Sequence, residues 1–92
     1  MNIFSFAYLD FEGKALVLVR APEKLVVDRK KKDQRDAAIE NYEKVFHDRA
    51  VILFHEDQWG VRAFQGHDNS ITNRLASCDL SNLVWQTYDM DA

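Results

Sequence analysis

Three histidines are the side chains of this sequence best suited to acid–base or metal chemistry. His47, His55 and His67 each stand directly before an acidic residue. A zinc site needs three or four ligands, and two of them usually lie close together, as in C-x-x-C or H-E-x-x-H. None of the histidines has such a neighbour at that spacing. We therefore expect neither a metal nor another cofactor.

The other candidates for catalysis are Cys78 and the adjacent carboxylates Glu56 and Asp57. Cys78 is expected at the C-terminal end of a helix, where the helix dipole disfavours a thiolate, and its spacing from Ile71 and Leu75 predicts a core position. Adjacent carboxylates in a turn point in different directions, which disfavours a shared proton. We expect a non-enzymatic protein, and a small enzyme using His55 and Glu56 remains an alternative.

A basic run is the most concentrated charge in the chain. Five of the seven residues from Arg29 to Arg35 are basic; the stretch 14–35 carries a charge of +5, and the remainder carries −8. Such a run suits contact with phosphate or with an acidic partner surface, and it also suits a solvated loop before a helix. The acidic body and the lack of interleaved aromatic residues disfavour nucleic acid. The candidate contact residues are Arg29, Lys30, Lys31, Lys32 and Arg35.

The second candidate surface is the turn expected at residues 56–60. Trp59 stands directly before Gly60, and Phe11 occupies a similar place in the other expected hairpin turn, two residues before Gly13. Large aromatic side chains at hairpin tips are often exposed and favour partner contacts, although they can also fold back over the core. The partner-binding candidates in this turn are Glu56, Asp57 and Trp59.

The pattern of apolar residues predicts the elements that position these side chains. Strict alternation or short β-branched runs bounded by turn residues indicate strands, and apolar residues spaced i, i+3, i+4 indicate helices. Asp33 is the expected N-cap of the first helix, and residues 25–27 are either a third edge strand or an extended crossing. The predicted strands cover 3–9, 14–20, 50–55, 61–65 and 83–88, and the predicted helices cover 34–47 and 70–77.

These elements predict one α+β domain over residues 1–92, with a mainly antiparallel sheet of five strands and two helices on one face. Asp10-x-x-Gly13 and Asp57-x-x-Gly60 mark two similar turns. They suggest a ββα unit over 1–47, a second over 48–78, and a closing strand and tail over 79–92; chance similarity is the alternative. The predicted core consists of Phe4, Phe6, Leu16, Leu18, Ile39, Tyr42, Phe46, Ile52, Phe54, Leu75 and Trp85.

Composition indicates the class of function. The chain has 92 residues, 29 % of them charged, a single cysteine and no apolar run of membrane-spanning length. These features favour a soluble cytoplasmic protein that does not enter a membrane. We interpret it as a protein-interaction module, either an accessory subunit or a phage- or plasmid-borne inhibitor of a larger host protein. Phosphate or nucleic-acid contact through residues 29–35 is the alternative.

Overall fold

A computed structural model of the chain describes residues 3–67 and 69–89; the side chains of Arg29 and Asn69 lie outside that description. Five strands, three α-helices and a short 3-10 helix follow one another along the chain. In order they are β1 (Ile3–Phe11), β2 (Lys14–Arg20), α1 (Glu23–Val27), the 3-10 helix (Arg29–Lys31), α2 (Lys32–Glu43), β3 (Ala50–Glu56), β4 (Arg62–Gln65), α3 (Asn69–Leu75) and β5 (Gln86–Asp89).

The five strands form one sheet in the order β4-β3-β2-β1-β5. The central strands β2 and β3 are parallel, and the other neighbours are antiparallel. Both predicted hairpins, β1–β2 and β3–β4, are therefore confirmed. The prediction of a single α+β domain with a mainly antiparallel five-stranded sheet is confirmed as well.

A two-residue turn joins β1 to β2 and makes β1 longer than the predicted 3–9. Phe11 pairs with Lys14 across the turn. The two residues between them, Glu12 and Gly13, have φ angles of 52° and 80°. Positive φ at both central residues is the geometry of a type I′ turn, whose twist matches that of the flanking strands. Glycine adopts this conformation without the penalty that a side chain incurs.

The sheet is covered on both faces because its central strands are apolar throughout. Four successive residues of β2, from Leu16 to Val19, are fully buried, and they alternate between two core clusters. The first cluster, on the face of α1 and α2, contains Phe4, Phe6, Val17, Val19, Ala21, Val26, Ile39, Phe46, Val51 and Leu53. The second, on the face of α3, contains Leu16, Leu18, Ile52, Phe54, Phe64, Ile71, Leu75 and Leu80.

The two main helices, α2 and α3, therefore lie on opposite faces of the sheet, which corrects the expectation of two helices on one face. The reason is the parallel pairing of β2 with β3. With that pairing, β3 and β4 follow each other across the sheet in the same order as β1 and β2, but each strand runs in the opposite direction. The β1–β2 hairpin is therefore superimposed on the β3–β4 hairpin by a shift along the sheet and a half-turn about an axis that lies in the sheet, perpendicular to the strands. Such a rotation exchanges the two faces, so the helix after β4 meets the face opposite to the helices after β2.

Residues 25–27 belong to helix α1, so both the edge strand and the extended crossing were wrong predictions. Pro22 precedes the helix in an extended conformation, and Glu23 places an acid in its first turn. Val26 is fully buried in the first cluster. The helix changes the direction of the chain after β2 and keeps Val26 against the core. An extended segment would instead continue in the direction of β2, away from the core.

Helix α2 is displaced towards the N-terminus relative to the predicted 34–47. The 3-10 helix leads directly into it, so its N-cap is Lys31, and Asp33, the predicted cap, lies in the first turn. The Lys31 side chain makes no capping hydrogen bond to α2. The preceding 3-10 helix is capped by Asp28, whose carboxylate accepts a hydrogen bond of 2.9 Å from the backbone N–H of Lys30. The helix ends at Glu43 because the chain must turn back to enter β3. Phe46 is buried beyond the end of the helix.

The closing strand is shorter than the predicted 83–88. After α3 the chain crosses the second face to reach β1, and only Gln86–Asp89 pairs with it. Leu83 and Trp85 pack against the second cluster during this crossing. The Arg20 guanidinium lies 4.1 Å from the centre of the Trp85 ring, a cation–π contact that covers its outer side. Of the eleven predicted core residues, nine are buried, and Tyr42 and Trp85 are partly buried against them.

Phe46→Ala should lower the free energy of unfolding by about 3–5 kcal/mol, the usual cost of truncating a buried aromatic side chain. Phe46 packs with Phe6 at a ring-centre distance of 5.0 Å and also contacts Phe4 and Tyr8. Urea unfolding followed by circular dichroism measures the change. An unchanged midpoint would show that Phe46 does not belong to the core.

Gly13→Ala should lower the free energy of unfolding by about 1 kcal/mol, because alanine is disfavoured at positive φ. No atom lies within 4 Å of the position that the new Cβ would occupy, so steric overlap does not contribute. Urea unfolding of the variant tests the turn geometry, and equal stability of Gly13→Ala and wild type would contradict a left-handed conformation at this residue.

Candidate interaction surface

The predicted basic run is divided between solvent and the fold. Lys30 and Lys32 are exposed and Lys31 is half-buried, whereas the Arg29 side chain lies outside the described residues. Arg35 points back into the molecule, where its Nη1 donates to the carbonyl oxygens of Leu25, Val26 and Asp28 at 3.3, 3.4 and 3.3 Å respectively. These carbonyls end α1, so Arg35 stabilises the C-terminus of that helix. The run thus combines exposed lysines with a structural arginine.

The turn between β3 and β4 is held in place by Asp57. Its Oδ1 accepts hydrogen bonds from the backbone N–H groups of Trp59 and Val61, at 2.9 and 2.8 Å. Two backbone hydrogen bonds, from Asp57 N–H to Val61 and from Gly60 N–H to Asp57, close the same loop. An aspartate that accepts from the backbone two residues ahead is a recurrent way to fix a turn. The Asp57 carboxylate therefore serves the turn itself.

Glu56, the other acid of the predicted site, is paired within the fold. Its Oε2 lies 3.0 Å from Nε of Arg62 across the β3–β4 hairpin, and Nη1 of Arg62 donates to the carbonyl of Cys78. The pair joins the start of β4 to the segment that follows α3. Glu56 and Asp57 thus contact different partners, Arg62 for Glu56 and the turn backbone for Asp57.

Trp59 projects from this fixed turn into solvent, with 79 % of its surface exposed. Val61, two residues further on, is 64 % exposed. Phe11 differs, because it packs against the second core cluster. The two aromatic turn residues were expected to be equivalent, yet only Trp59 is free of the core. A rigid turn that carries an exposed tryptophan is an arrangement suited to partner contact.

A cleft borders Trp59 and extends the surface towards α1. It has a volume of about 320 Å³ and is lined by Glu23, His55, Glu56, Asp57, Gln58 and Trp59. Glu23 also borders a second depression together with Val27, which is 53 % exposed and one helical turn further along α1. We refer to Glu23, Val27, His55, Gln58, Trp59 and Val61 together as the Trp59 surface.

Sequence reasoning found Trp59 and its turn and named His55, but it missed Glu23, Val27 and Val61 as parts of this surface. Glu23 and Val27 belong to α1. The sequence predicts an edge strand or an extended crossing for residues 25–27 and assigns Glu23 to no element. Pro22 followed by Glu23 is a typical helix start and could have indicated α1. Val61 was assigned to the predicted strand 61–65, whose first residue in the structure is Arg62.

The three histidines and Cys78 do not converge on one site. His67 Nε2 lies 3.2 Å from Glu43 Oε1, whereas His55 borders the Trp59 cleft. The Cys78 thiol is partly buried and lies 3.8 Å from the Asp79 carbonyl. Within residues 3–67 and 69–89, no group of three or more His, Cys, Asp and Glu side chains could hold a metal ion.

Displaced pKa values at Tyr42 and Asp79 have structural causes. Burial raises the pKa of the Tyr42 phenol, so it stays neutral beside the first core cluster. The Ser81 backbone N–H, 3.0 Å from Asp79 Oδ1, lowers the pKa of that carboxyl. Because the folded-state pKa is lowered, this contribution to stability is present at neutral pH and is lost as the pH falls through that pKa.

Comparisons of the chain with protein-family models, with curated proteins and with solved structures find no match. Among the helices that the structure describes, none is long and apolar enough to cross a membrane. The surface must therefore be interpreted from its own chemistry.

Asp57→Ala should increase the mobility of the Trp59 turn, because it removes both side-chain hydrogen bonds to the backbone. Asp57→Asn keeps one acceptor oxygen and should retain most of the order. Heteronuclear NOE values for residues 58–60 measure the effect on the subnanosecond timescale. Equal values in wild type and Asp57→Ala would show that the carboxylate does not fix the turn.

Proposed function

We propose that this chain is a non-enzymatic protein-interaction module that binds a larger protein through the Trp59 surface. The observation that carries the proposal is the exposure of Trp59 on a turn whose backbone is held by the Asp57 carboxylate. Tryptophan is among the residues most enriched at the energetic centres of protein interfaces. Its burial in a partner pocket supplies a large apolar contact from a side chain with only two rotatable bonds.

The rigidity of the turn supports the same proposal. Ordering a flexible loop on binding opposes association, so a surface that is already fixed in the free protein binds with a smaller loss of entropy. The four hydrogen bonds of the turn supply this order before a partner arrives. Val61, two residues beyond Trp59, and Val27, which borders the neighbouring depression together with Glu23, add exposed apolar area.

Charge supports a partner that is basic around its apolar pocket. Outside residues 14–35 the chain carries a net charge of −8, and Glu23 lines the cleft beside Trp59. Opposite charges around an apolar centre accelerate association and favour the correct partner. An accessory subunit or a phage- or plasmid-borne inhibitor that acts on a larger host protein in the cytoplasm fits this description, and the single cysteine suits that compartment.

Contact through the basic run is the second candidate function. The exposed ammonium groups of Lys30 and Lys32 favour it, since they make no ion pair with any described residue. An acidic partner surface could meet both lysines without disturbing the fold. The experiment below separates the two candidates.

Trp59→Ser should weaken partner binding by about thirtyfold, equivalent to a hot-spot loss of about 2 kcal/mol. Trp59, Lys30 and Lys32 are exposed and Lys31 is half-buried at the surface. The unfolding free energies of Trp59→Ser and of the triple variant Lys30→Gln, Lys31→Gln, Lys32→Gln should therefore stay within about 0.5 kcal/mol of wild type. The measurement is affinity purification from extract of the native host at matched bait levels, followed by titration of the purified partner.

The triple lysine variant is the matched control and should keep wild-type affinity for the partner. The contact lies in the basic run if Trp59→Ser binds the partner with wild-type affinity, while the lysine variant binds it more weakly and with less dependence on salt concentration. That result would overturn the assignment to the Trp59 surface.

A further inference from the structure

A second cavity lies between the start of α2 and the end of β4, away from the residues of the Trp59 surface. Its volume is about 360 Å³, within the range of about 300–1,000 Å³ typical of small-molecule sites. Two segments that are distant in sequence form its walls. The lining residues are Lys32, Arg35 and Asp36 from α2, and Gln65, Gly66 and His67 from the end of β4.

Gly66 allows the end of β4 to lie close against β3 and α3. A Cβ at this position would lie 2.7 Å from Cδ1 of Ile52, closer than real Cβ contacts occur. The backbone therefore lies directly over a core side chain, with Gln65 and His67 on either side of it. On the opposite wall, Lys32 and Arg35 are three residues apart in α2 and so share a helix face.

The polar groups in this cavity favour an anion. The side chain of Lys32 makes no hydrogen bond or ion pair with any described residue, so its ammonium group is available to a ligand. Only Nη1 of Arg35 donates to the end of α1, and its other nitrogens remain donors. Gln65 adds an amide, and the Nε2 atom of His67 is occupied by Glu43. Among the described residues that line the cavity, Asp36 is the single carboxylate.

We infer that this cavity binds a small molecule through a phosphate group, with Lys32 as its principal ligand and Arg35 as the second cation. The cavity is larger than one phosphate group requires, and Lys30 and Lys31 precede Lys32 in the chain. A molecule with several linked phosphates could therefore extend from Lys32 towards the positive charge of these two preceding residues. The inference is independent of the Trp59 surface, because the two share no residue.

Isothermal titration with sodium tripolyphosphate, and separately with inorganic phosphate, tests the inference on the whole chain. We expect saturable one-to-one binding of tripolyphosphate with a dissociation constant below about 1 mM, and weaker binding of inorganic phosphate. Lys32→Gln should weaken tripolyphosphate binding by about tenfold, since it removes a charge-assisted hydrogen bond. Asp36→Asn should strengthen it severalfold by removing the one carboxylate among the described residues that line the cavity.

Matched controls distinguish a defined cavity from diffuse charge. Asp33→Asn is the control for Asp36→Asn, because both remove one negative charge. Lys44→Gln is the control for Lys32→Gln, because both remove one positive charge. Neither Asp33 nor Lys44 is among the residues that line the cavity. Lys44 lies twelve residues along from Lys32, a distance of about 18 Å in a helix. Both controls should bind tripolyphosphate within twofold of wild type, an interval of about 0.4 kcal/mol.

The inference is overturned if tripolyphosphate fails to bind at about 1 mM. It is also overturned if Lys44→Gln changes the affinity as much as Lys32→Gln does, and Asp33→Asn as much as Asp36→Asn does. Single-stranded RNA serves as the competing ligand. If RNA binds more tightly than tripolyphosphate with a steep salt dependence, the lysines contact a nucleic-acid backbone instead of a small phosphorylated molecule.

Discussion

The parallel pairing of β2 with β3 is the constraint on which the rest of the structure depends. Residues of these two strands are apolar on both sides, and Leu16 to Val19 are fully buried. A sheet of this kind must be covered on both faces, because exposing either row of side chains to water would forfeit roughly 1.5–3 kcal/mol for each large residue. The helices and the crossing segment 76–85 are the consequence.

The two candidate sites both follow from this arrangement. A parallel pair needs a long connection, here α1, the 3-10 helix and α2, and that connection carries the lysines and Arg35 along one end of the sheet. The β3–β4 hairpin then places Trp59 beside α1 and brings residues 65–67 back to the start of α2. Arg35 connects both regions, since it donates a hydrogen bond to the C-terminal end of α1 and also lines the cavity between α2 and β4.

Local patterns were sufficient to predict the hairpins, the approximate helices and most of the core. Phe4 and Phe6 alternate with smaller residues, and Gly13 supplies a positive φ, so the first hairpin follows from neighbours in sequence. Helix α1 was missed because five residues are too few to display a period. Its stability depends on Arg35, ten residues beyond Leu25.

The assignment of faces could not be read from β2, since a run of apolar residues does not indicate which side meets which helix. The cavity between α2 and β4 could not be read from the sequence either, because Lys32 and His67 line the same cavity only through the tertiary fold. Trp59 could be singled out by its place next to Gly60. Its exposure, however, depends on the Asp57 hydrogen bonds, which the sequence pattern did not distinguish from an ordinary solvated turn.

Fluorine NMR of the chain labelled with fluorotryptophan, alone and bound to its purified unlabelled partner, measures whether Trp59 enters the interface. Trp59 and Trp85 are the two tryptophans, one exposed and one packed against the second core cluster, so each reports a different environment. The account predicts that binding shifts the Trp59 resonance and abolishes its sensitivity to exchange of H₂O for D₂O, while Trp85 changes little. A Trp59 resonance that stays unshifted and solvent-sensitive in the saturated complex would contradict it.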